Sequence, residues 1–398
     1  MIRKILKICV ILAVSYPLNL LAQSSQIDGI ATMTISTADV VVFKDQTGKI
    51  FAKSGLTGKI INRSSDATTT IQAAINSLPV NGGKIYISSG SYNLSSTIYI
   101  KNKHGVHIEG AARGMQSGDQ AGTVLKSDKA IDLIEINGEE FRIFGVTLSN
   151  MLLWGTGRDN GKAGIMIKGT TDAMTFYNVG ANNHGVGFHL QGGGGKGSGV
   201  IDAPQIYFCD PQRNGIGIHI ERSHYTKIVG GEFSDNLQYG IFLKSEDPGH
   251  QRIQGVKINS MTSVRNGEAN IYIGSNTEDI TVSGGSDVGG VVRGSGIIIA
   301  GEHGGSVPTN IIVSNAHSYN NKIAGIKIGN SNRVLIQGNI ITEHDHSAVD
   351  LIAQQHGILI EDGAEHVLIN GNIIADNKIA NITDNSGKAI IQGNSLQP

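Results

Sequence analysis

The sequence predicts an all-β protein: a right-handed parallel β-helix, a solenoid, with a short capping helix at its N-terminal end. Three observations carry that prediction. From Gly164 onward one phrase keeps returning: a small residue, branched apolar residues one apart, then a polar turn. It reads Gly164-Ile-Met-Ile, Gly185-Val-Gly-Phe, Gly215-Ile-Gly-Ile, Gly240-Ile-Phe-Leu, Asn270-Ile-Tyr-Ile, Gly296-Ile-Ile-Ile, Gly325-Ile-Lys-Ile and Gly357-Ile-Leu-Ile, with a fainter Asn381-Ile-Thr. Side chains on a strand alternate between its faces, so the pattern means strands. The phrase returns every 21 to 32 residues, which is the period of a solenoid whose units bury their apolar faces only by stacking. Composition agrees, because 54 glycines and only 5% aromatics suit a narrow aliphatic interior with many turns.

The elements follow in order. Residues 1–22 read as a signal peptide: Arg3, Lys4 and Lys7 precede the apolar Ile8–Val14 run, and Ala22 is a cleavage point. The apolar run is too short for a permanent membrane span. Cys9 leaves with that segment, so the mature chain keeps only Cys209 and no internal disulfide. Residues 23–64 read as leader strands, among them Val40–Phe43 and Ile60-Ile61. Residues 65–398 form the solenoid. It opens with a helix over 66–78: Asp66 is a good N-cap, Ile71, Ala74, Ile75 and Leu78 fall at helical spacing, and Pro79 ends it. An amphipathic helix here would plug the open first coil. Gln337-Gly-Asn339, Asn370-Gly-Asn372 and Gln392-Gly-Asn394 read as an asparagine ladder at a coil corner. No cap is evident after Asn394, so a homo-oligomer through the C-terminal end of the solenoid is expected. The near-neutral charge argues against nucleic acid or a membrane surface as partner.

At the start of the solenoid the residues become more specific. Asp66-Ala-Thr-Thr-Thr-Ile-Gln-Ala-Ala-Ile-Asn-Ser-Leu78, Gly-Gly-Lys-Ile-Tyr-Ile87, Gly90-Ser-Tyr92 and Val106-His-Ile-Glu-Gly110 resemble the opening of the pectate-lyase-like superfamily. The match covers about residues 60–112. That superfamily holds polysaccharide lyases, glycoside hydrolases, uronate epimerases and tailspike depolymerases. The resemblance implies the fold and an extracellular polysaccharide as partner; it leaves the chemistry open.

Aligning the phrases by their first residue puts their fifth positions in one outward row: Lys168, His189, His219 and Lys244, then Gly274, Ala300, Gly329 and Glu361. The seventh positions set Gln191, Glu221 and Glu246 beside them. A row of cations and imidazoles suits an anionic glycan. The cations bind uronate carboxylates, and Lys244 or His219 removes the proton alpha to the carboxylate. Glu221 and Glu246 would orient the base or bind a cation such as Ca²⁺. Removal of Lys244 or His219 is expected to leave stability nearly unchanged, as for exposed side chains. The plainer reading of the same row is a solvated face of mixed charge.

Loops add further candidates. Gln191–Gly199 is a glycine-dense stretch, either a lid or a flexible insertion, and not a Walker loop because Lys196 precedes Gly. Arg222 and Tyr225 follow the His219 strand as substrate-binding candidates, Tyr225 being equally a packed turn residue. Trp154 and Arg158 could contact sugar or pack a corner. Asp247-Pro-Gly-His250 faintly resembles a loop of mannuronan epimerases, with Gly249 intruding. Glu343-His-Asp-His346 with Asp350 could ligate a metal or form a solvated loop. His184 reads as a turn histidine. Polygalacturonase motifs and the Trp-Ile-Asp-His element of pectate lyases are absent from the chain. The expectation is therefore a secreted or periplasmic lyase acting on an acidic glycan by β-elimination. A hydrolase or C5-epimerase, and a non-catalytic glycan-binding module, are the alternatives.

Overall fold

The computed structural model describes residues 38–119, 121–193, 199–245, 252–302, 306–343 and 354–397. The proposed signal peptide lies outside them. The chain winds as a right-handed parallel β-helix whose coils pair strand on strand. One ladder runs through eleven parallel strands among the described residues, from Ile98–Ile100 through Val186–Gly192, Ile216–Ile220 and Tyr239–Leu243 to Ala380–Asp384. At ~4.8 Å per coil it is about 50 Å long.

The interior follows from the repeated branched residues. Ile165, Phe188, Ile218, Ile241, Ile271, Ile297, Ile326 and Ile358 stack in one fully buried row. Ile167, Leu190, Ile220, Leu243, Ile273, Ile299, Ile328 and Ile360 form a second. β-branched side chains suit such a wall because they are stiff and pack well on a pleated surface. The small residue ahead of each strand is required by close approach. A Cβ added at Gly240 would lie 2.2 Å from Ser263 Oγ, and one at Gly217 would lie 2.4 Å from the Gly240 carbonyl.

The first coil is closed by two devices. Val40–Lys44, Ile50–Ser54 and Ile60–Ser64 form an antiparallel meander that docks in parallel on Gly83–Ile87. Helix α1, Ala67–Ser77, covers the coil's end, with the Asp66 carboxylate accepting from the amides of Thr68 and Thr69. Its buried face is Ala67, Thr70, Ile71, Ala74 and Ile75. Gln72 completes the seal: its side chain donates to the Tyr99 carbonyl at 3.0 Å and accepts from the Tyr99 amide at 2.9 Å. The helix thereby satisfies the strand edge that the first coil would leave open.

Inside one corner the asparagine ladder is present. Asn339 N donates to Asn372 Oδ1 and Asn372 N to Asn394 Oδ1, each at 2.9 Å. The left-handed backbone angle falls on the preceding glycines, Gly338, Gly371 and Gly393, and not on the asparagines. A second asparagine run, Asn214–Asn236–Asn266, does the same at another corner. Among the described residues no helix is long and apolar enough to cross a membrane.

Candidate functional site

The outward row beside the buried isoleucines is set by strand register, and it differs from the row read by aligning first residues. His189 pairs with His219, as expected, but His219 pairs with Phe242 and Phe242 with Tyr272. Met166, not Lys168, stands opposite His189. The reason is a displacement of two residues. Gly185-Val-Gly187 and Gly215-Ile-Gly217 each offer two glycines, and the structure aligns the second of each pair with Gly164 and Gly240. A shift of two keeps every side chain on its face but moves it along the strand.

Lys168 is therefore removed from the cluster. It sits opposite Asn137, and its ammonium pairs with Glu135 at 3.0 Å. Burial opposes its charge, but Glu135, Asp132 and Glu139 hold its pKa above the ordinary lysine value, the wrong direction for a base. Lys244 stands two residues beyond Phe242 and faces the Glu221 position of the preceding coil, its amide donating to the Ile220 carbonyl. Its ammonium pairs with Glu302 at 2.9 Å.

What the fold brings together is His189, His219 and Glu221. The two imidazoles stack across successive coils with centroids 4.8 Å apart and planes within 11°. His189 Nε2–H donates to Glu221 Oε1 at 2.6 Å, and His219 Nδ1 lies 3.6 Å from the same oxygen. Both rings are largely covered, with side chains 13% and 14% exposed. Burial, and next the neighbouring His189, press the His219 pKa down to about 4 against the pull of Glu221. His219 is thus a neutral imidazole at neutral pH, and its Nε2 is buried without a hydrogen-bond partner. For Glu221, burial pushes upward but the His189 hydrogen bond and the charges of the histidines and Arg222 prevail, holding the carboxyl below its ordinary range. At this burial His219 is not a surface side chain, so the expectation that its removal costs no stability is corrected.

Two aromatic residues that motif reading missed, Phe242 and Tyr272, continue the row, and Tyr239 stacks beside it. His219 lies 4.8 Å from Phe242; Tyr239 stacks on Phe242 at 4.4 Å and 12°; Phe242 lies 5.1 Å from Tyr272. Gly274 lets the Tyr272 ring lie flat, since a Cβ there would meet the ring at 2.5 Å. Burial, then Glu302 and Tyr239, push the Tyr272 phenol up to about 12, so it stays protonated. Their signal was the residue between the paired apolar positions of each phrase: His, His, Phe, Tyr.

The remaining candidates divide. Gln191 is the penultimate residue of the His189 strand, and Arg222 packs its side chain against Gly192 and Gly193 beside Glu221. Tyr225 is exposed at a left-handed corner, packed on Gly255 and edge-on to His224. Trp154 lies on another ladder, opposite Lys126 and Asn182. Arg158 bonds the Asp235 carbonyl, a corner role. His184 is fully buried with Nε2 3.3 Å from the Leu153 carbonyl, a turn histidine as expected. Glu246, the Asp247–His250 stretch, residues 194–198 of the glycine-dense stretch, and His344, Asp345, His346 and Asp350 all lie outside the described residues. Ca²⁺ was considered at Glu221 with Glu246; the described partners of Glu221 are imidazoles, nitrogen donors that Ca²⁺ disfavours.

The fold is a right-handed parallel β-helix. Three solved structures are similar to it. The Dettilon tailspike protein aligns over 84% of this chain with a TM-score of 0.61 and 14% identity. The chain spans 65% of the tailspike's length. A mannuronan C-5 epimerase A-module from Azotobacter vinelandii aligns over 84% of this chain and 96% of its own, with a TM-score of 0.59 and 17% identity. The Streptococcus pneumoniae surface adhesin PfbA aligns over 83% of this chain and 88% of its own, at 0.52 and 10%. No protein-family profile matches the chain. No curated protein sequence matches it either.

Proposed function

We propose that this is an exported polysaccharide-active protein that cleaves a uronate-containing glycan by β-elimination, with His219 as the base. One observation carries the reading: a neutral histidine stacked on a second histidine and flanked by a carboxylate, whose buried Nε2 has no hydrogen-bond partner to hold it and would meet the substrate once the ring turns outward. Lys244, paired with Glu302, and Arg222 are the cations that would meet the uronate carboxylate. His219 takes the C5 proton, the electron pair forms the C4–C5 double bond, and the C4–O4 bond breaks, O4 leaving with a proton from solvent. His189 and Glu221 position the base. Tyr239, Phe242 and Tyr272 offer ring faces for sugars on the adjoining coils. Export agrees with the basic, apolar start of the sequence and with the surface adhesin among the similar folds.

A second reading is C5-epimerisation, favoured by the similar fold of the mannuronan epimerase module. It shares the first step and differs in returning a proton to C5 from the opposite side. The test is incubation with a panel of uronate polysaccharides. Elimination gives new ultraviolet absorbance from the unsaturated sugar, lost in His219→Ala. Inverted C5 signals by NMR without absorbance would select the epimerase. Binding without either product would make the face a glycan-binding surface and overturn both.

A further inference from the structure

We propose that His189, His219 and Glu221 form a binding site for one divalent first-row transition cation, with Zn²⁺ the best-fitting probe. The donor atoms of the three side chains lie within 4.8 Å of one another. Glu221 Oε1 bridges the pair, 2.6 Å from His189 Nε2 and 3.6 Å from His219 Nδ1. Zinc bonds to nitrogen and carboxylate oxygen are about 2.0–2.2 Å, so tetrahedral donors stand about 3.3–3.6 Å apart, and small side-chain rotations that open the 2.6 Å His189–Glu221 contact would admit the ion. The ion would replace the proton that His189 now shares with the carboxylate. A second observation points the same way. His219 Nε2 is buried and has no hydrogen-bond partner, so it has no bond to lose if the ring turns. Two imidazoles and one carboxylate are a borderline-soft set that suits zinc, nickel or copper and not Ca²⁺ or Mg²⁺. Three protein ligands leave a coordination position open.

The rigidity of the scaffold favours the site. His189 and His219 are fixed by register on consecutive paired strands, so little ordering accompanies binding. The opposing charges are Lys244, which is paired with Glu302, and Arg222 beside Glu221. Occupancy would take up the imidazole proposed as base, so the ion should silence elimination; that consequence alone rests on the functional reading above.

The experiment uses the untagged full chain, stripped with chelator and dialysed. Zn²⁺ titration by calorimetry should give one equivalent per chain. Co²⁺ should give visible ligand-field bands, and the NMR signals of two imidazoles should broaden. His189→Ala, His219→Ala and Glu221→Gln should each weaken Zn²⁺ binding about tenfold or more, since even outer-shell changes cost 10- to 100-fold. Lys244→Ala, which removes a nearby positive charge, should tighten it. Circular dichroism checks the fold of each variant, and the wild-type Co²⁺ and NMR readouts stand if a variant fails to fold. Absence of stoichiometric binding, or binding unaffected by all three variants, overturns the proposal. Neither result depends on activity: zinc binding by a chain whose metal-free form gives no turnover would refute the lyase and leave the metal site standing.

Discussion

Acidification should destabilise the protein through His219, and the size can be worked from its surroundings. Its pKa falls from an ordinary 6.5 to about 4 in the folded chain, chiefly through burial. Unfolding frees the imidazole to take a proton, so the unfolded state binds more protons between these two values. Stability is therefore complete above pH 6.5, falls as the pH drops toward 4, and levels off below. At about 1.4 kcal/mol for each tenfold change in the proton equilibrium, the whole effect is about 3 kcal/mol. About 2 kcal/mol of it should appear by pH 5, before the carboxylates titrate. His184, also fully buried and pressed down to about 4, responds in the same way, so wild type alone cannot separate the two. The perturbation is His219→Phe, which fills the volume and extends the aromatic row while leaving His184 in place. Urea unfolding at pH 7, 6 and 5, followed by circular dichroism, gives the midpoints. Wild type should lose about 2 kcal/mol more than the variant across that range. Parallel losses in the two proteins would refute the argument, because His219 would then be charged or hydrated in the fold.

Four further outcomes are expected. His219→Ala should lower turnover 10²–10⁴-fold, as removal of a general base does, whereas Lys168→Ala should leave turnover at the wild-type level because Lys168 is paired with Glu135 elsewhere; product-formation rates check both. Phe242→Ala and Tyr272→Ala should weaken oligosaccharide binding by about 2- to 10-fold each, the worth of one stacked ring, measured as KM or by calorimetry. Ile271→Ala, in the middle of a fully buried row, should cost about 2–5 kcal/mol in urea unfolding. Asn339→Ala strips partners from the buried Ala316 amide and the Val313 carbonyl and should cost about 1–3 kcal/mol by the same assay.

The solenoid was legible because its signals are local and repeated. The alternation of Gly-Ile-x-Ile fixes inside from outside, and Asp66, the apolar helical spacing and Pro79 mark the cap. The site was legible only in part. His189, His219 and Glu221 were on the right face and beside one another. Lys168 and Lys244 were placed in the histidine row because the glycine pairs at 185/187 and 215/217 admit two alignments with the same parity. Nothing local decides between them; stacking against the neighbouring coil does. Phe242 and Tyr272 were hidden by the same displacement. Burial of the histidines was not legible either, since it depends on rings stacking across coils, His189 on His219 and His219 against Phe242.

The asparagine corners have a consequence for how the chain comes apart. Each rung lends its side-chain oxygen to the backbone amide of the coil before it: Asn372 serves Asn339, and Asn394 serves Asn372. The same side chains donate to earlier carbonyls, Asn372 to Ile336 and Asn394 to Ile369, so each rung serves both a backbone donor and a backbone acceptor of the coil before it. Detaching a coil therefore removes its own contacts and also orphans a buried donor in the coil left behind, which then becomes the weakest point. Unravelling begun at Asn394 would strip backbone groups from each predecessor in turn, like a dropped stitch, whereas loss of an earlier rung leaves the later backbone amides supplied and strands only side-chain atoms. Mechanical pulling from the two ends should accordingly give unequal resistance.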